Sequence, residues 1–159
     1  MSIYKLLLTY TQIHIQFVFA VKYRAAVIGK EWEEELYQYI TGIVKQYNHK
    51  LLAINGMPDH IHILIGKRPT QSESDLMELV KGSSSKWINQ RQFLKSHFAW
   101  QEGFGAFSYT KSHVDSVIGY IRKQKEHHSN KETFIEEYLR ILTELDMDFD
   151  QRYIFKDLE

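Results

Sequence analysis

No cysteine occurs anywhere in the 159 residues. That excludes a disulfide scaffold, a zinc–thiolate site and thiol chemistry, so any metal must be held by histidine, carboxylate, amide or hydroxyl groups. Proline is nearly absent too, with Pro58 and Pro69 its sole occurrences, and long stretches are therefore free to form unbroken helices and strands. Charge of one sign is missing as well: 20 lysines and arginines balance 20 aspartates and glutamates. A chain that held polyanions by bulk positive charge would not be balanced in this way. Apolar runs are short, and the one from Phe17 to Val21 stops at Lys22, far below the roughly 20 residues that cross a bilayer. The first residues show no basic stretch, apolar stretch and small-residue cleavage site in succession. The expectation is a soluble, cytoplasmic protein without membrane contact.

Hydrophobic residues make up 43% and aromatics 14%, which at this length is enough for one proper core and predicts a single domain over 1–159. The zero net charge hides a gradient. Residues 132–159 carry nine acids against three bases, a net −6, and residues 1–131 carry the compensating +6. An acidic C-terminal extension from about 132 follows a body that is free to meet an anionic partner.

Residues 12–21 alternate and are rich in β-branched and aromatic types, which predicts a strand. Residues 31–47 place Trp32, Leu36, Tyr39, Ile40, Ile43 and Tyr47 at helical spacing. Two strand-like runs, 49–55 and 60–66, are joined by Gly56-Met57-Pro58-Asp59, a turn by composition. Ser72 and Asp75 resemble a capping box for a helix over 73–90, in which Gly82-Ser83-Ser84-Ser85 reads as an interruption. An aromatic strand with a bulge is expected over 98–109, then a helix from 113 to about 127 capped by Ser112, and a last helix over 132–145. The class is α+β: a ferredoxin-like, RRM-like βαββαβ antiparallel sheet with helices on one face, plus C-terminal helices that carry Tyr120.

His60-Ile61-His62 falls on a predicted strand, where residues two apart share a face. Two imidazoles so placed can chelate one divalent ion and leave it open positions for substrate oxygens. A chance pair on a solvated strand face is the plainer alternative. Tyr120 and Gln124, four apart on a predicted helix, also share a face, and His113 and His127 fall in the same arc. They offer a nucleophile and a hard oxygen ligand, where a surface tyrosine and a solvated amide would be the ordinary reading.

In this order, His60-Ile61-His62 behind Gly56-Met57-Pro58-Asp59 and Tyr120-Ile121-Arg122-Lys123-Gln124 downstream, the chain resembles the single-tyrosine HUH transposases of the IS200/IS605 family. The likeness extends to Lys22-Tyr23-Arg24, Trp100-Gln101-Glu102-Gly103 and Lys125-Glu126-His127-His128. One departure stands out: many relatives carry a histidine about where Gln16 stands, whereas His14 lies two residues earlier on the same face. The resemblance implies cutting and rejoining of single-stranded DNA with hairpin ends. It implies Tyr120 as the nucleophile that forms a 5′-phosphotyrosine link, and His60, His62 and Gln124 as ligands of Mg²⁺ or Mn²⁺. It also implies a homodimer. Tyrosine, with a pKa of about 10, needs such help at neutral pH.

Contacts to DNA phosphates are expected from Lys81, Lys86, Arg91, Arg122 and Lys123, with further basic residues Lys95, Lys111, Lys125 and Lys131 nearby, and Trp87, Trp100, Phe104 or Phe107 are candidates for base stacking. Two other functions fit parts of the pattern. A relative without catalysis would act as a hairpin-binding regulator. An RRM-like RNA-binding module shares the element order, but His60 and His62 stand where its aromatics would be.

Overall fold

A computed structural model describes residues 8–129 and 132–148. Strand β1 (His14–Ala20) is followed by helix α1 (Glu33–Gln46), strands β2 (Lys50–Met57) and β3 (His60–Gly66), helix α2 (Glu73–Arg91) and strand β4 (Gly105–Tyr109). The sheet order is β2-β3-β1-β4 and every neighbouring pair is antiparallel. This is the ferredoxin-like arrangement that the element order predicts.

The period-2 pattern of β1 decides which face is which. Phe17 and Phe19, with Ile61, Ile63 and Ile65 of β3, pack against Leu36, Ile40 and Val44 of α1 and Leu76, Met77 and Val80 of α2. The alternate residues Val18, Ala20 and Leu64 point the other way, under three more helices: α3 (Val114–Arg122), α4 (Gln124–Ser129) and α5 (Phe134–Glu144). Helix α3 lays Val114, Val117 and Ile121 on Ala53 and Leu64. Helix α5 lays Phe134, Ile141 and Leu142 on Val18, Ala20 and Phe107. The paired helices α1 and α2 thus cover one face, and the C-terminal helices close the other.

Several boundaries differ from the sequence expectations. The strand expected over 98–109 is confined to Gly105–Tyr109, while Trp100 makes a single bridge to Val21 and buries its ring against Phe19 and Phe98. Gly82-Ser83-Ser84-Ser85 does not interrupt α2. The helix runs through it because Ser84 is buried and accepts a hydrogen bond from Trp100 Nε1 at 2.9 Å. Ser112 is no helix cap; it lies in a 3-10 turn (Lys111–His113), with its hydroxyl beside those of Thr110 and the His113 ring. The helix expected over 113–127 breaks at Lys123, whose N–H bonds back to Gly119, Tyr120 and Ile121. Ser72 does cap α2, accepting from the Asp75 N–H. An unforeseen capping box, Thr133 with Glu136, starts α5.

The β2–β3 hairpin turns at Pro58-Asp59, with Met57 paired to His60. Gly56 is required there, since a Cβ at this position would collide with the His60 carbonyl oxygen and backbone. Gly56→Ala is expected to cost about 2–3 kcal/mol in urea unfolding by overpacking the hairpin. A loss below about 0.5 kcal/mol would show that the hairpin yields freely.

Candidate active site

His60 and His62 project from β3 onto the face covered by α3, α4 and α5, fully buried, with ring centroids 5.2 Å apart. Each ring is fixed from behind. Asp59 Oδ1 accepts from His60 Nδ1 at 2.6 Å, so a neutral His60 carries its proton there and turns a bare Nε2 inward. His62 Nδ1 lies 3.0 Å from the Gln16 amide, whose oxygen accepts from the Tyr109 hydroxyl. As placed, the Gln16 NH₂ donates to His62 Nδ1, leaving the proton on Nε2. The reverse amide orientation would put the proton on Nδ1 and leave Nε2 a lone pair, and the Tyr109 hydroxyl serves either. Gln16 therefore holds the ring that sits behind the site, whereas His14 Nδ1 has no hydrogen-bond partner among the described residues.

Gln124, at the start of α4, is wholly buried and places Oε1 3.2 Å from His60 Nε2. The break at Lys123 makes this possible, because it redirects the chain after α3 while the Tyr120 ring remains half-buried 6.0 Å from the His62 ring. The three residues expected to hold a metal and the expected nucleophile are thus gathered within one chain. His60 Nε2 and Gln124 Oε1 are both acceptors when the imidazole is neutral, and two acceptors facing each other need a proton or a metal ion between them. The donor set fits a divalent ion.

A residue that sequence reasoning left among the tail acids completes the cluster. Glu137, on α5, is entirely buried. Its Oε1 lies 2.9 Å from His62 Nε2 and 3.2 Å from the Nε2 atoms of both His60 and His128. Its Oε2 accepts from the Tyr120 hydroxyl and, at 2.9 Å, from the Gln124 amide. His60, His128 and Glu137 offer ligand atoms that all lie within 4.8 Å of one another. The available signal was position: Phe134, Glu137 and Ile141 occupy one stripe of α5, and a carboxylate on an apolar stripe must be paired. His128 carried no signal beyond its place in the Lys125–His128 run.

Electrostatics follow from this packing. Burial, the largest single influence on His60, pulls its pKa down, but hydrogen bonds to Asp59 and Glu137 outweigh it and lift the value to about 9. His62 is held below its ordinary value by burial, against the pull of Glu137. Burial acts to raise the Glu137 carboxyl, yet the bonds from His60, His62 and Tyr120 keep it far below the usual carboxylate range. Tyr120 is pushed well above the normal phenol value by burial and then by Glu137, with Arg140 Nη2, 3.0 Å from its oxygen, pulling the other way. At neutral pH the phenol is protonated. A cavity of about 250 Å³ lined by Tyr120, Arg140, Gln16, Tyr109 and His113 opens beside it.

The basic residues divide. Arg122 and Lys123 are exposed at the end of α3, next to the cluster. Lys81, Lys86 and Arg91 lie on α2, on the opposite face of the sheet. Lys81 Nζ donates to the carbonyls of Gln101 and Gly103 at 2.7 Å each, a tie between helix and loop, and burial lowers its pKa. Arg91 pairs with Glu35 at 2.9 Å and lies over the Trp87 and Phe93 rings. Lys86 is exposed and borders, with Lys81, a groove of about 580 Å³. Trp100 and Phe107 are core residues, so they are not surfaces for stacked bases; Trp87 stacks on Tyr39, and Phe104 leans on Phe17. Lys131 lies outside the described residues. No helix among the described residues is long and apolar enough to cross a membrane.

Known proteins resemble this chain in sequence and in fold. The ISDra2 transposase TnpA of Deinococcus radiodurans is 29% identical over 75 residues, covering 47% of this chain and 54% of that protein. The chain thus matches about half the length of that relative. A crystal structure of a Deinococcus radiodurans protein assigned as a transposase superposes with a TM-score of 0.60 at 23% identity, over 73% of this chain and 93% of the other. The REP-associated tyrosine transposase, solved bound to a REP hairpin, gives 0.59 at 15% identity, over 76% and 71%. At these identities the two structures establish the shared fold. The family model described as "Transposase IS200 like" matches residues 9–124, which take in the whole sheet, both imidazoles, Tyr120 and Gln124, and the chain therefore belongs to the IS200-like transposase family.

Proposed function

We propose that this chain cuts and rejoins single-stranded DNA at hairpin-bearing ends, with Tyr120 as nucleophile and His60, His62 and Gln124 as ligands of Mg²⁺ or Mn²⁺. One observation carries the reading: the Tyr120 hydroxyl, the Gln124 amide and both imidazoles converge on a single buried point of one chain. The Tyr120 oxygen attacks the scissile phosphorus, the bond to the 3′-oxygen breaks, and a 5′-phosphotyrosine and a free 3′-hydroxyl remain. The phenol gives up one proton and the departing oxygen takes one, and because the phosphotyrosine conserves the phosphodiester bond, a later 3′-hydroxyl can attack it, release the phenol and reseal the strand without ATP. Bound at the imidazoles, the divalent ion would offset the negative charge that grows on the phosphate oxygens. Arg140 steadies the phenol oxygen, and Arg122 and Lys123, exposed beside it, are placed to meet flanking phosphates.

Lys86 and its groove lie on the far face and would meet hairpin backbone rather than the scissile bond. The relative bound to a REP hairpin supports a folded single strand as substrate. We further propose a cytoplasmic homodimer, and a single domain spanning 1–159. Incubating the protein with Mn²⁺ and hairpin oligonucleotides from the ends of the element should give a covalent protein–DNA adduct on denaturing gels. Hairpin binding with no adduct on any end-derived substrate would instead mark a DNA-binding regulator.

Asp59 gives a graded test of the metal site. Asp59→Asn weakens the acceptor that fixes His60, and such outer partners are worth about 10–100-fold in metal affinity. Mn²⁺ titration calorimetry should show a loss in that range. An unchanged affinity would mean that His60 needs no orienting partner.

A further inference from the structure

We propose that Glu137 is itself a ligand of the divalent cation, together with His60 and His128, so that α5 supplies part of the metal site. This rests on the metal-dependent reading of the same cluster and extends it beyond the two imidazoles and one amide that the family resemblance implies.

Proton accounting carries the argument. His60 commits its Nδ1 proton to Asp59, and His128 commits its own to the carbonyl oxygen of Glu132. In its neutral form each ring therefore directs an Nε2 lone pair at Glu137 Oε1, a carboxylate oxygen 3.2 Å away. Lone pairs facing an anion from two sides repel unless a positive charge stands among them, protons on the rings in the metal-free protein and the ion once it displaces them. The separations suit a metal ion as that charge: neighbouring ligands of a six-coordinate ion with bonds near 2.1 Å stand about 3.0 Å apart. Burial points the same way. His60, Gln124 and Glu137 have no solvent exposure, and a dication held there by neutral ligands alone would keep its full charge in a poorly solvated place. One carboxylate halves that charge. Oε2 meanwhile holds the Tyr120 hydroxyl and the Gln124 amide, so a single side chain ties the ion to the nucleophile.

The experiment is Mn²⁺ binding to the full chain, read by calorimetry and by nitrogen modulation in pulsed electron paramagnetic resonance, with no DNA present. Glu137→Gln and His128→Ala should each weaken Mn²⁺ by tenfold or more, and His128→Ala should lose part of the nitrogen modulation. If Glu137→Gln binds Mn²⁺ as tightly as wild type, the carboxylate merely holds protonated rings and the inference fails. If it binds more tightly, Glu137 is a plug rather than a ligand and the inference also fails. Retention of the full modulation in His128→Ala would remove His128 from the site. His60→Ala separates the two levels of the argument: unchanged affinity there overturns the metal site as a whole, whereas its loss beside an unchanged Glu137→Gln overturns only the added ligand. Should Glu137→Gln fail to fold by circular dichroism, Glu137→Asp, which keeps the charge but withdraws the oxygen by one methylene, should show the same weakening, and wild-type affinity in that variant counts against the inference.

Discussion

Tyr120→Phe is expected to abolish the covalent protein–DNA adduct, to below about one-thousandth of the wild-type rate, since loss of the nucleophile in covalent catalysis leaves only binding and charge stabilisation. The substitution deletes one oxygen and little else. Glu137 retains contacts to His60, His62, His128 and Gln124, and the ring keeps its stacking on His127. Stability should therefore fall by no more than about 1–2 kcal/mol, the cost of lost hydrogen bonds. Hairpin affinity should be unchanged within about threefold, because no DNA-binding charge is removed. The measurement is a denaturing gel of radiolabelled hairpin DNA beside a binding titration. An adduct formed at the wild-type rate by the phenylalanine variant would mean that another side chain attacks phosphorus.

Much of the fold was legible because it obeys simple periodicities. Alternation put Phe17 and Phe19 on one face of β1, and the 3.6 spacing of Leu76, Val80 and Ile88 drew α2 almost to its observed ends. The same period-2 rule places both imidazoles on one side of β3, where their rings lie 5.2 Å apart. What was not legible depended on tertiary demands. Nothing in the composition around Lys123 marks a break, yet the helix must bend there for Gln124 to be buried while Tyr120 keeps its reach. Phe98 and Trp100 look like strand residues but are drawn into the core beside Phe19 instead of into sheet pairing. Lys81 looks like a phosphate contact but is consumed by two loop carbonyls. Glu137 was hidden by arithmetic. Summed with eight other acids it reads as a charged tail, although its own position on the apolar stripe of α5 sets it apart.

His60→Ala should have the second-largest effect, removing Mn²⁺ binding by about 100-fold or more and adduct formation with it. His60 is the one ring whose Nε2 lies against both Gln124 Oε1 and Glu137 Oε1. Truncation leaves those two oxygens facing a void and removes the one donor that lies against both of them. His62→Ala should act differently at the level of folding. His62 donates to Glu137 at the shortest of the three imidazole distances, 2.9 Å, and is wedged between Gln16 and the carboxylate. Its removal strips a buried anion of a partner and leaves the Gln16 amide short of one, so the metal-free protein should lose about 3 kcal/mol. His60→Ala spares that contact and also removes a ring that Glu137 must otherwise hold protonated. Urea unfolding of both variants, with and without Mn²⁺, tests the distinction. Wild type should gain stability with Mn²⁺, since an ion bound only by the folded state adds its binding free energy to folding. His60→Ala should lose that gain. A His60→Ala protein that Mn²⁺ stabilises as strongly as wild type would place the ion somewhere other than this cluster.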